Sequence, residues 1–153
     1  MAKGKKKSKF DNKFKSTLPK DDRRVNVLNE RKVQEEPEKL SFNFKDFDES
    51  QCPPGQKLDD WEKDKRLSKL IKKFIDISQY NIIEAQQKSL LKIYGQFPKN
   101  SKFSVPKFIQ GEVQWGTIQR IGGQKPRLAG YIIGSVFYPV FLDRDHLFFP
   151  KKK

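Results

Sequence analysis

One cysteine, one histidine and one methionine occur in 153 residues. Cys52 alone cannot form an intramolecular disulfide, and a zinc site of the nitrogen–sulfur type needs about four ligands that Cys52 and His146 cannot supply. Phosphate-cradling GxxxxGK[ST], the GxGxxG fingerprint, the GxSxG elbow and HExxH are all missing, so no cofactor or metal is expected. No apolar run approaches the ~20 residues of a membrane span, and the basic start continues polar without the apolar core of a secretory signal. A reducing cytoplasm is the expected setting. Apolar residues are themselves scarce, at 35% against 34% charged. Globular domains average roughly 45–50% and about 25%, so part of this chain is expected to be solvated tail.

Positive charge is what the chain has in excess. Lys and Arg outnumber Asp and Glu by 33 to 19, a net charge of +14. Such an excess predicts a polyanionic partner, and nucleic acid ranks before an anionic membrane because no amphipathic anchor accompanies it. Residues 1–20 hold eight lysines and one acid. Residues 1–39 are too poor in apolar side chains to offset an ordering entropy of roughly 1–2 kcal/mol per residue, so they read as a disordered basic arm. A single domain is expected over 40–150, followed by a basic tail at 151–153.

Within that domain, Phe42, Phe44 and Phe47 punctuate a polar stretch as in a half-buried strand, and Cys52-Pro53-Pro54-Gly55 ends it. Asp59 with Glu62 suggests a capping box for a helix over 59–77. Leu67, Leu70, Ile71, Phe74 and Ile75 make its apolar stripe, while Lys65, Arg66, Lys69, Lys72 and Lys73 gather opposite. That basic side suits an RNA-facing surface as well as an ordinary solvated one. A second helix is expected from Asn81 to Tyr94, then strands over Phe103–Ile109 and Glu112–Ile121, the first weakened by Pro106.

The chain closes on Pro126 to Pro150, where two aromatic-rich runs flank Gly134-Ser135 as in a type II′ hairpin. Pairing Ile133 with Val136 sets Tyr131 against Tyr138, Ala129 against Val140 and Arg127 against Leu142. Continued parity adds Arg144, His146 and Phe148 to the face of Arg127, Tyr131 and Tyr138. The resulting order, β-α-α-β-β-β, is an α+β fold with an antiparallel sheet and two helices on one face.

That hairpin face combines the side chains metal-free RNA cleavage needs: a proton acceptor for the 2′-OH, cations for the phosphate oxygens and a donor for the leaving oxygen. His146 suits the proton transfers, Arg127 and Arg144 the phosphate, with Arg120 and Lys125 beside the Gly-Gly loop as further RNA contacts. Tyr131 and Tyr138 suit base stacking, and equally suit a core. Lys65, Lys69, Lys72 and Lys73 complete the candidate RNA-binding set.

The strand–helix–helix–strands order, with RLAGYIIGSVFYPVFLDRDH at its end and FNFKDFD near its start, resembles the RelE/ParE-type toxin superfamily, by way of small proteins of mobile elements and prophages. The likeness spans about 40–150. It implies a metal-independent endoribonuclease acting on mRNA at the ribosome and held by a cognate, acidic antitoxin. It also places Arg120 and Arg127 on phosphate, with Arg144 and His146 at the acid–base end. Where many ribonuclease members carry a C-terminal tyrosine, this chain has Phe148 and Phe149, leaving His146 as proton donor. A noncatalytic RNA- or ribosome-binding module on the same surface, or a protein-docking hairpin edge, accounts for the same residues without cleavage.

Overall fold

The Gly134-Ser135 turn joins the two longest strands of the domain, as its sequence requires. A computed structural model describes residues 37–151, with β1 (Ser41–Phe42), α1 (Leu58–Lys63), α2 (Leu67–Ile77), α3 (Ile82–Gln87), β2 (Leu91–Gly95), β3 (Gln114–Ile118), β4 (Arg127–Ile133) and β5 (Val136–Asp143). The expected basic arm, up to residue 36, and the last two lysines of the tail lie outside the described residues. The architecture is α+β, a five-stranded sheet in the order β1-β5-β4-β3-β2. Its last four strands pair antiparallel; β1 adds to β5 in parallel, Phe42 beside Phe137, so the sheet is mixed.

Gly134 takes φ +62, the left-handed turn position that glycine adopts at no steric cost. From there Ile133 pairs with Val136 and Tyr131 with Tyr138, as the spacing predicts. The register then shifts. Gly130 faces Pro139 but Ala129 faces Phe141, leaving Val140 as the extra residue of a bulge. Proline has no N–H for the ladder, which is why it sits where regular pairing stops. The expected pairs Ala129 with Val140 and Arg127 with Leu142 are therefore replaced by Ala129 with Phe141 and Arg127 with Asp143. Every residue of β5 beyond the bulge changes face.

The helical segments divide further than their periodicity suggests. Lys65, at φ +59, breaks the expected 59–77 helix into α1 and α2. The first turn of α1 is held by Asp60, whose carboxylate accepts the Lys57 N–H at 3.0 Å, in place of the predicted Asp59/Glu62 box. On α2, Leu70 and Ile77 are buried with Leu67 and Phe74 packed beside them, whereas Ile71 and Ile75 stay 53% and 61% exposed. Asn81 and Glu84 do cap α3 reciprocally, at 2.9 and 3.0 Å. That helix stops at Gln87, and the segment read as its second half forms β2 instead, because Leu91 and Ile93 alternate with Lys92 and Tyr94 and pair with β3.

Both faces of the sheet are covered. Trp61, Leu70, Ile77 and Ala85 of the helices pack on Ile118, Leu128, Ile132, Phe137 and Leu142. On the other face Phe103 and Ile109 from the segment after β2, together with Leu147, Phe148 and Phe149, lie over Trp115, Ala129, Tyr131 and Phe141. Phe103–Ile109, expected as a strand, is thus a covering loop, its two apolar ends turned inward around Pro106. Phe148 is fully buried, a contribution of about 1.5–3 kcal/mol for a side chain of its size. No helix among the described residues is long and apolar enough to cross a membrane.

Candidate nucleic-acid interface

The C-terminal aromatic plug reaches the sheet because Asp143 turns the chain back. Its buried carboxylate accepts the backbone N–H groups of Leu147 and Phe148, each at 2.8 Å. Burial pushes the Asp143 carboxyl up, and these two bonds and nearby Arg127 pull the other way. The tight turn sets His146 at φ +61, an unusual conformation for a side chain with a Cβ.

Arg127 stands opposite Asp143. Its Nη1 donates to the Gln119 side chain and its Nη2 to the Gln124 carbonyl at 3.2 Å, so its hydrogen-bond partners are neutral. Burial lowers the pKa of Arg127, yet arginine keeps its proton in proteins. The Nε of Arg127 and the Nδ1 of His146 are both buried with no hydrogen-bond partner. Burial holds His146 below the usual imidazole range, and Arg127, Lys151 and Lys92 push it in the same direction.

Strand register accounts for much of that gathering. Lys92 faces Thr117, Thr117 faces Ala129, and Ala129 lies two residues from Arg127 on the same side of the sheet. Arg120, in the turn after β3, donates to the Ser89 carbonyl at 3.2 Å and contributes its charge near Arg127. Beside them Tyr94 stacks on Phe149, with centroids 4.4 Å apart, and Lys92 Nζ stands 5.5 Å from the Tyr94 ring centre. Cations and aromatic rings from β2, β4, the β3–β4 turn and the C-terminal segment thus meet at one end of the sheet.

The remaining predicted residues fall elsewhere. Arg144, beyond the bulge, turns to Asp64 at 3.0 Å and to Asp145 at 3.3 Å, which raise its pKa. Two carboxylates already answer its charge. Tyr131 and Tyr138 stack nearly parallel at 4.7 Å, and the buried Tyr131 hydroxyl donates to Asp46. Burial and that bond push the phenol's pKa well up, so Tyr131 is committed to the interior rather than open to a base. Lys65, Lys69 and Lys72 are exposed and Lys73 half-buried, and the Lys69 side chain lies against Gly122 of the Gly-Gly loop. Lys125 borders an open concavity of about 600 Å³ that Asp64, Arg66, Arg144 and Asp145 also line. Among the described residues no group of three or more His, Cys, Asp or Glu could hold a metal ion.

Lys92, Tyr94, Phe149 and Lys151 belong to the cluster and were absent from the sequence-derived set. Reading 81–94 as one helix hid the first two; the alternation Leu91, Ile93 against Lys92, Tyr94 was the available signal. Comparison with protein-family models, with curated proteins and with solved structures finds no match.

Proposed function

We propose that this chain is a noncatalytic RNA-binding protein that grips phosphate with the cationic end of its sheet. The observation that carries the reading is that the strand register sets Lys92 of β2 and Arg127 of β4 on one side of the sheet, with the Lys92 Nζ 5.5 Å from the Tyr94 ring centre and Tyr94 stacked on Phe149. Tyr94 and Phe149 offer aromatic surface beside these charges for unpaired bases, a frequent mode of RNA recognition. The net charge of +14 adds long-range attraction, and the lysines of α2 with Lys125 extend the basic surface. Binding of a labelled single-stranded RNA, followed by anisotropy across a salt series, is expected to weaken steeply with salt. Lys92→Gln and Arg127→Gln should each flatten the log–log salt slope by about one. Salt-insensitive binding, or binding indifferent to both substitutions, would rule this out.

A second reading has a specific observation behind it. His146, neutral near pH 7 because burial and cations, Arg127 foremost, disfavour its charge, is in the form that accepts a proton. That arrangement supports the metal-independent endoribonuclease toxin that the RelE/ParE resemblance implies, with mRNA at the ribosome as substrate. An acidic antitoxin partner and a cytoplasmic location belong to that reading. Expression would then arrest growth and cut transcripts, with relief by His146→Ala. The noncatalytic reading expects intact transcripts and indifference to the same change.

A further inference from the structure

We infer that the apolar shoulder of α2, together with Phe44, is a docking surface for an anionic lipid bilayer, on which the protein lies without crossing it. The inference goes beyond the RNA-binding reading and does not depend on it. Helical periodicity assigns Ile71 and Ile75 to the core along with Leu70 and Phe74, and folding leaves them outside. Both isoleucines, one turn apart, remain more than half exposed, and Phe44 is 48% exposed. Half-buried Phe74 links the three: its ring centre is 5.8 Å from that of Phe44, and it neighbours Ile71 and Ile75 on the helix surface. Phe44 also meets the Phe47 ring edge-on at 6.1 Å. Single exposed apolar residues are ordinary, whereas a continuous patch of this kind marks an interaction surface.

Charge decides what covers it. Helix α2 carries Lys69, Lys72 and Lys73 against Asp76 as its single acid, and Lys69 and Lys72 are exposed. Beside Phe44, the exposed Lys45 pairs with Asp46 at 3.6 Å, a contact that leaves its neighbourhood neutral rather than acidic. A second copy seated on the same face would set the α2 lysines against one another, and each chain carries a net charge of +14. An anionic bilayer answers both features. Its headgroups attract the lysines while its acyl boundary takes the isoleucines and Phe44, and lysine stems span the two levels. Apolar burial and basic charge together hold a protein at a membrane surface where either alone is weak. Residues 1–20, with eight lysines and one acid, add charge of the sign an anionic leaflet attracts.

The test co-sediments the full chain, free of RNA, with vesicles of phosphatidylcholine alone or of phosphatidylcholine mixed with phosphatidylserine. Binding is expected to the mixed vesicles, falling as salt rises. Ile71→Ser and Ile75→Ser should each lower that binding about three- to tenfold while leaving RNA affinity unchanged. Ile75→Trp should raise it, because tryptophan favours the membrane interface, and thermal midpoints check that each variant is folded. Binding to mixed vesicles that all three substitutions leave unchanged would overturn the inference, attachment then being a matter of charge alone. Equal binding to both vesicle types would overturn it as well. So would a soluble dimer, seen by sedimentation velocity, that Ile75→Ser dissociates. Failure to bind either vesicle would overturn it too and leave the patch to a protein partner. Vesicle binding without RNA binding would sink only the RNA-binding reading.

Discussion

Asp143 lies directly across the hairpin from Arg127, but its carboxylate oxygens go to the Leu147 and Phe148 N–H groups while the guanidinium goes to Gln119 and Gln124. The acid builds the turn that seats the aromatic plug, and its charge still acts across the hairpin on the guanidinium of Arg127. Removing Asp143 should therefore act on folding. Asp143→Ala leaves two N–H groups without acceptors, at roughly 1–3 kcal/mol for each buried one. Asp143→Asn keeps one acceptor and should lose less. Denaturant unfolding gives both values, and near-UV circular dichroism should report loosening of Phe148 and Phe149.

The bulge makes a separate prediction at glycine. A Cβ on Gly130 would stand 2.1 Å from the Tyr138 carbonyl oxygen, a backbone atom that cannot swing aside. Gly130→Ala is expected to cost about 1–3 kcal/mol or more, as overpacking does. Gly134→Ala meets nothing within 4 Å and carries only the strain of φ +62, about 1–2 kcal/mol. Thermal melts should rank Gly130→Ala as the less stable variant. The reverse order would count against the observed register.

His146 predicts the sign of a pH effect on stability. With its folded pKa below the unfolded value of ~6.5, the unfolded chain takes up the proton first as pH falls. Unfolding therefore becomes easier from about pH 6.5 downward, until pH passes below the folded value, where the penalty levels off. Buried Asp143, whose folded pKa is raised, acts oppositely, stabilising the fold as pH falls toward the ordinary carboxyl range near ~3.9. Denaturant midpoints of wild type and His146→Gln between about pH 7.5 and 5 isolate the imidazole. Parallel curves for the two would refute the assignment.

Arg144 offers a contrast between stability and binding. Its pairs with Asp64 and Asp145 are partly exposed, so Arg144→Gln should change stability by about 0–1 kcal/mol. RNA affinity should change less than in Arg127→Gln. Asp64→Asn removes the acid facing both Arg66 and Arg144, and is expected to raise RNA affinity modestly at low salt. Anisotropy with the same RNA checks all three.

What the amino-acid sequence determined by itself is local. Gly134-Ser135 specifies a hairpin because only a residue free to take positive φ can start that turn, and Tyr131 meets Tyr138 by counting from it. Asn81 and Glu84 mark the start of α3, since each caps the other's orphan N–H. The tertiary structure decided which side chains share a face of the sheet. Past Pro139 the bulge reverses the side-chain parity, so simple alternation carries Arg144 to the wrong neighbours. Lys92 joins Arg127 only because Leu91–Gly95 pairs with β3, a contact between distant segments that helical periodicity within 81–94 concealed. Parity and propensity are properties of neighbouring residues, whereas bulges and edge-strand pairing follow from packing over the whole sheet, and the cation cluster depends on both.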